Sequence, residues 1–115
     1  PERTQLNAAK SLGAPVVELH TGKFCELESD DRAEELNRIS SAASYATSIG
    51  LEVHAGHGLT FETVGPIAAI AEISELNIGH FLMGEAIFVG LENAILKMRE
   101  LMVAARNPVS KFETN

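Results

Sequence analysis

The chain has 115 residues, 45% of them hydrophobic, enough for one domain with a core. Sixteen acidic against nine basic side chains give a net charge of -7, and no Lys/Arg cluster offsets it locally, so a phosphodiester backbone is repelled and nucleic acid is excluded as a partner. No apolar run reaches the ~20 residues of a membrane span, and Pro1-Glu2-Arg3-Thr4 has neither the basic nor the apolar region of a signal peptide, so the expectation is a soluble, cytoplasmic protein that contacts no membrane.

Pro1 and Glu2 suit a first helical turn, and Leu6, Ala9 and Leu12 keep a helical spacing until Gly13 stops it. Residues 15–20 are short and β-branched, close on Thr21-Gly22, and read as a buried strand with one carboxylate, Glu18, placed in it. Residues 23–31 are polar and read as loop. Asp31-Arg32-Ala33-Glu34 resembles a capping arrangement, after which Leu36, Ile39, Ala43 and Ala46 predict one apolar helical face up to Gly50. A second strand is expected over 51–56. It runs into His57-Gly58, and a helix over 61–71 follows, interrupted by Gly65-Pro66. Residues 76–79 make a third short strand, and the apolar run 80–89 is set apart by Gly90 from a last helix. In that helix Leu91, Ala94, Ile95, Met98, Leu101, Met102 and Ala105 follow the 3,4 spacing, with the Met98 and Met102 pair read as core. Residues 107–115 contain Pro108 and read as a loose tail, leaving 1–106 as the structured part of one domain.

Helix and strand alternate without a tight hairpin signal, which predicts an α/β fold with parallel strands joined by right-handed crossovers. Two sheets can be built this way, a segment of a (β/α)₈ barrel or a flavodoxin-like open sheet, and the pattern favours the barrel. A complete barrel takes roughly 250 residues. The opening on Pro1 rather than methionine predicts a chain that is processed, trimmed or part of a longer protein.

His20, His54, His57 and His80 all fall at or just beyond the expected carboxyl ends of strands, the face where parallel α/β folds assemble their chemistry. Gly56-His57-Gly58 and Gly79-His80 put backbone free of side chains where a strand turns into a helix, so N–H groups there can meet an anion. The apolar segment after His80 reads as the short extra helix whose N-terminus commonly holds a phosphate in barrels. Glu18 lies two positions before His20 and so on the same strand face. A buried carboxylate there must be hydrogen-bonded, ion-paired or functional, and pairing with an interior Lys or Arg is the structural alternative. Cys25 is the one cysteine; it has no internal disulfide partner, belongs to no zinc-type spacing, and nothing in the sequence marks it as activated. Glu26, Glu28, Asp30 and Asp31 lack the Gly and terminal Glu of a calcium loop and read as a solvated loop and cap.

The motifs Val17-Glu18-Leu19-His20-Thr21-Gly22, His54-Ala55-Gly56-His57-Gly58-Leu59 and Glu75-Leu76-Asn77-Ile78-Gly79-His80 together resemble, in order and separation, the bacterial pyridoxine 5'-phosphate synthase family. The resemblance implies a (β/α)₈ barrel whose sixth, seventh and eighth strands are those read here, with an extra helix before the last. It also implies condensation of 3-amino-2-oxopropyl phosphate with 1-deoxy-D-xylulose 5-phosphate, closing the pyridine ring of vitamin B6 with loss of phosphate and water. By matching position, His57 would be the proton donor, Glu18 would stabilise charge in the transition state, Gly58 would help hold substrate, and Gly79 with His80 would bind phosphate. His54 stands where some members have Asn. No cofactor and no metal are implied, and the family's other catalytic carboxylate and histidine lie in an N-terminal half outside this sequence.

Three occupations of such a chain are therefore expected. The first is a share in this synthase, acting on small phosphorylated substrates as a homo-oligomer or paired with an N-terminal half-barrel. The second is a metal-dependent barrel lyase or hydrolase using the histidines and Glu18 as ligands. The third is a non-catalytic half-barrel whose bare sheet edges pair with another chain.

Overall fold

A computed structural model describes residues 2–108. Helix α1 (Arg3–Ser11) leads into β1 (Val16–His20), a one-turn helix α2 (Gly22–Glu26) and the long α3 (Ser29–Ser48). Strand β2 (Glu52–Gly56), α4 (Val64–Ala68), β3 (Ile73–Asn77), α5 (His80–Val89) and α6 (Leu91–Arg106) follow. The strands form one parallel sheet in the order β1-β2-β3, as the alternation of helix and strand predicts, with Glu18 beside His54 and Gly56 beside Asn77. The expected helical turn at Pro1 and most of the expected tail, residues 109–115, lie outside the described residues.

Strand alternation sorts the side chains onto two unlike faces. Leu19, Val53, Ala55 and Ile73 are buried in one core with Ile39, Ala43 and Ala46 of α3, Leu6 of α1, and Phe24 of α2. A second cluster around Val64, Ala68 and Met98 seats α4, α5 and α6 beside β3, and Met102 packs against it. The guanidinium of Arg106 fastens the end of α6 to the start of β3 by donating to the carbonyls of Ala71, at 3.2 Å, and Ile73. On the opposite sheet face Glu18, His20, Glu52 and Glu75 are exposed, so Glu18 is not the buried carboxylate expected from the apolar strand.

Several expected boundaries move, each for a local reason. Residues 22–26 form α2 rather than loop, because Phe24 is buried and draws a single turn down onto the core. Helix α3 begins at Ser29 behind Glu28, so Asp30 and Asp31 fall in its first turn and Asp31 is not the cap; negative charge there favours the helix N-terminus. Gly65-Pro66 falls in the first turn of α4, behind Val64, instead of interrupting a longer helix, since a first-turn proline lacks only an N–H that would have no partner in the helix. Strand β3 runs from Ile73 to Asn77, with Ser74 in an irregularity between the Val53 and His54 pairings, so Gly79 lies beyond the strand and caps α5. In α6, Ala94 and Met98 are buried, but Leu91 and Ile95 of the expected apolar face are exposed, as are Ile87 and Phe88 of α5.

Glu35 is a charged residue inside the α3 face. Arg38 donates two hydrogen bonds to it, at 2.9 and 3.0 Å, and Lys23 approaches to 3.8 Å. The Arg38 hydrogen bonds hold the Glu35 carboxyl below its ordinary value, against the opposing effect of burial. A depressed carboxyl stabilises the fold above its unfolded value of about 4.5 and stops doing so as pH falls through the folded value. The stability difference between the wild type and Glu35→Gln should therefore be largest near neutrality and narrow as pH falls below about 4.5, read from urea midpoints across that range.

Candidate active site

The carboxyl ends of the three strands open onto a cleft of about 700 Å³ lined by Glu18, His57, Gly58, Asn77, Gly79 and His80, with Leu59, Ile78, Phe81 and Met83 as its apolar wall. All five residues singled out from the sequence thus meet in one place, although Glu18 comes from the middle of β1, His57 and Gly58 from the turn after β2, and Gly79 and His80 from the connection between β3 and α5. Among the described residues no Lys or Arg lines the cleft.

Glu18 projects from the middle of β1, and its Oε2 accepts a hydrogen bond of 3.0 Å from Asn77 Nδ2 on β3. These strands are not neighbours, and the bond passes across β2 at Gly56. A Cβ at Gly56 would lie 2.7 Å from Glu18 Oε1 and 2.6 Å from the Asn77 carbonyl, so the contact requires the missing side chain. Asn77 is the site residue that sequence reasoning missed. Its signal was a polar residue in phase with Glu75 at the end of a short strand, but its partner is 59 residues away.

The turn after β2 carries His57 at φ 87° and Gly58 at φ 76°, both in the left-handed region. For a non-glycine residue this costs about 1–3 kcal/mol, and the surrounding structure must impose it. Thr21, completely buried, does so: its hydroxyl lies 2.8 Å from the Gly56 carbonyl and 2.7 Å from that of His57, while its N–H donates to Gly56 at 2.8 Å. Gly58 in turn needs its φ, and a Cβ there would come within 3.3 Å of the Cys25 Cβ. The Cys25 thiol is partly buried and faces the His57 carbonyl and the Thr63 hydroxyl at 3.8 and 3.7 Å.

The other histidines divide. His80 is the first residue of α5 behind Gly79, and the first intrahelical bond runs from Met83 N–H to Gly79, leaving the preceding helical N–H groups directed out of the helix end. His20 ends β1 and stacks on His57, with ring centroids 4.3 Å apart and planes at 25°. His54 does not lie at a strand end as expected. It sits in the middle of β2, with Nε2 3.0 Å from Glu52 and Nδ1 3.8 Å from Glu75, outside the cleft. Hydrogen bonds from His54 and then Ser74 hold the Glu52 carboxyl below its ordinary value. Among the described residues no group of three His, Cys, Asp or Glu side chains is arranged to hold a metal ion, and no helix is long and apolar enough to cross a membrane.

Parallel βα units with an imidazole, a carboxylate and a helix N-terminus gathered at the carboxyl strand ends define an α/β chain organised as enzymes of that class are. Residues 1–104 match the family model described as "Pyridoxal phosphate biosynthesis protein PdxJ", and the chain belongs to that family. Among curated relatives, the pyridoxine 5'-phosphate synthase of Zymomonas mobilis is 61% identical over 106 residues, covering 92% of this chain and 41% of the relative. That of Rhodospirillum rubrum is 58% identical, covering 91% and 43%, and that of Caulobacter vibrioides is 56% identical, covering 92% and 43%. The chain therefore spans less than half the length of these relatives.

Replacing Thr21 by valine keeps its shape and removes the hydroxyl that lies against the buried Gly56 carbonyl and the part-buried His57 carbonyl. The expected cost is about 1–3 kcal/mol of stability, measured by urea unfolding, with the backbone amide resonances of His57 and Gly58 shifting in the folded variant.

Proposed function

We propose that this chain is the carboxyl-terminal part of a (β/α)₈ barrel with pyridoxine 5'-phosphate synthase activity, contributing the sixth to eighth strands and the extra helix before the last. Residues 1–106 belong to that single barrel domain. The observation that carries the reading is the convergence of Glu18, His57, Gly58, Gly79 and His80 on one cleft. Two further features support it. Helices cover one face of the sheet while the other carries Glu18, His20, Glu52 and Glu75, as expected of a barrel wall and not of an open sheet sandwiched by helices. Strands β1 and β3 each keep an edge without a partner among the described residues, which a complementary N-terminal half would pair.

In this reading the substrates are 3-amino-2-oxopropyl phosphate and 1-deoxy-D-xylulose 5-phosphate, and the products are pyridoxine 5'-phosphate, phosphate and water. Attack of the amine on the ketone generates cationic character at nitrogen, which the Glu18 carboxylate, held by Asn77, is positioned to stabilise. Loss of water or phosphate needs a proton delivered to the leaving oxygen, and the His57 imidazole, held at the mouth of β2, is assigned that step. With no Lys or Arg among the described residues that line the cleft, phosphate would be met by the backbone N–H groups around Gly58 and Gly79 and by His80 at the start of α5. The chemistry requires neither a metal nor a cofactor from this chain. The assembly works in the cytoplasm, as a homo-oligomer or with its complementary half, and the single partly buried Cys25 suits a reducing compartment.

Asparagine is the informative replacement for His57, because it tolerates the left-handed backbone while removing the transferable proton. In the complete barrel His57→Asn should lower kcat by about 10²- to 10⁴-fold with an unchanged far-ultraviolet circular dichroism spectrum. Turnover equal to the wild type would remove His57 from the mechanism.

A further inference from the structure

We propose that His20 is a positioning residue for His57: it forms a flat support against which the His57 ring is held, so that His57 presents its proton to the cleft in one orientation. The proposal rests on the reading of His57 as proton donor. A left-handed turn fixes the His57 backbone but leaves the side-chain torsions free, and an exposed imidazole would otherwise sample several rotamers. Stacking against His20 at 4.3 Å between centroids limits that freedom.

A support must itself be fixed. His20 ends β1 and is exposed, but its Nδ1 accepts a hydrogen bond of 3.2 Å from the Gly22 N–H. That bond defines the tautomer of the neutral ring, since an Nδ1 that accepts leaves the proton on Nε2. Gly22 has a second role, because a Cβ there would lie 2.5 Å from His20 Cε1 and 3.0 Å from His57 Cδ2. Both rings therefore rest over backbone that carries no side chain. Thr21, between them in sequence, ties the same turn to the His57 carbonyl, so the segment from His20 to Gly22 controls both the backbone and the ring of His57. His20 does not line the cleft that Glu18, His57 and His80 share, which separates its role from contact with substrate.

The test combines kinetics in the complete barrel with imidazole NMR of the chain. His20→Ala should lower kcat about ten- to a hundredfold with KM nearly unchanged, the size expected when a reacting group is held less well. His20→Phe, which keeps a flat ring without the Nδ1 acceptor, should recover part of that loss, and Gly22→Ala, which displaces the support, should resemble His20→Ala. In the chain, His20 should show the Nε2–H tautomer, and the His57 ring-proton resonances should lose a ring-current shift in His20→Ala. Wild-type kcat in His20→Ala, or His57 resonances that do not move, would overturn the proposal. If the wild-type barrel makes no pyridoxine 5'-phosphate, the synthase reading fails while the NMR result still decides whether His20 holds His57.

Discussion

Thr21 brings its hydroxyl into a layer closed to solvent, within hydrogen-bond distance of the carbonyls of Gly56 and His57, and the rest of the site is built around that constraint. A buried hydroxyl or carbonyl left without a partner would cost free energy, so the end of β1 and the turn after β2 must stay together. Once they do, His57 is committed to a left-handed backbone, Gly58 continues the turn past Cys25, and the His57 ring comes to lie on His20. Gly56 completes the arrangement from below. Its lack of a side chain lets Glu18 of β1 and Asn77 of β3 reach each other across the middle strand. The site is thus held by backbone geometry and two glycine gaps rather than by a network of ion pairs.

The sheet has one face packed against helices and one that stays open. Leu19, Val53, Ala55 and Ile73 pack against the helices, whereas the open face carries carboxylates and histidines that gain nothing from apolar burial. An open acidic face, strand edges without a partner among the described residues, and the exposed Met83, Ile87 and Phe88 of α5 are surfaces that the remaining strands and helices of a barrel, or a second copy, would cover. Membership of the PdxJ family and coverage of less than half of each relative fit that picture without adding to its geometry.

Much of the cleft's lining was legible in the sequence because strand ends in parallel folds are marked by local chemistry. Glycines and histidines beside short β-branched runs identified His57, Gly58, Gly79 and His80, and the oddity of a carboxylate in an apolar strand identified Glu18. What escaped depends on contacts distant in sequence. Asn77 matters because it meets Glu18 over Gly56, and Thr21 because it is buried beneath the His57 turn. His54 was misplaced because its run of apolar and glycine neighbours resembles a strand end, whereas it sits mid-strand and its ring is drawn toward Glu52 and Glu75. The fold followed the same rule. The long α3 declared itself through apolar spacing, but α2 is a single turn held by Phe24, and the first half of β3 was hidden because Ser74 and Glu75 face the open side.

On the reading proposed above, the cleft holds one side of an active site whose other side comes from an N-terminal half-barrel. The most direct measurement is formation of pyridoxine 5'-phosphate from the two phosphorylated substrates by the 115-residue chain alone, by a separately produced N-terminal portion alone, and by both together. Each βα unit carries its own strand-end residues, so the two portions should bring their groups onto a common face when they pair. No product is expected from either portion alone, and restored product from the mixture, abolished when the chain carries His57→Asn. Full activity from this chain by itself would show that the groups around Glu18 and His57 suffice, and would contradict that reading.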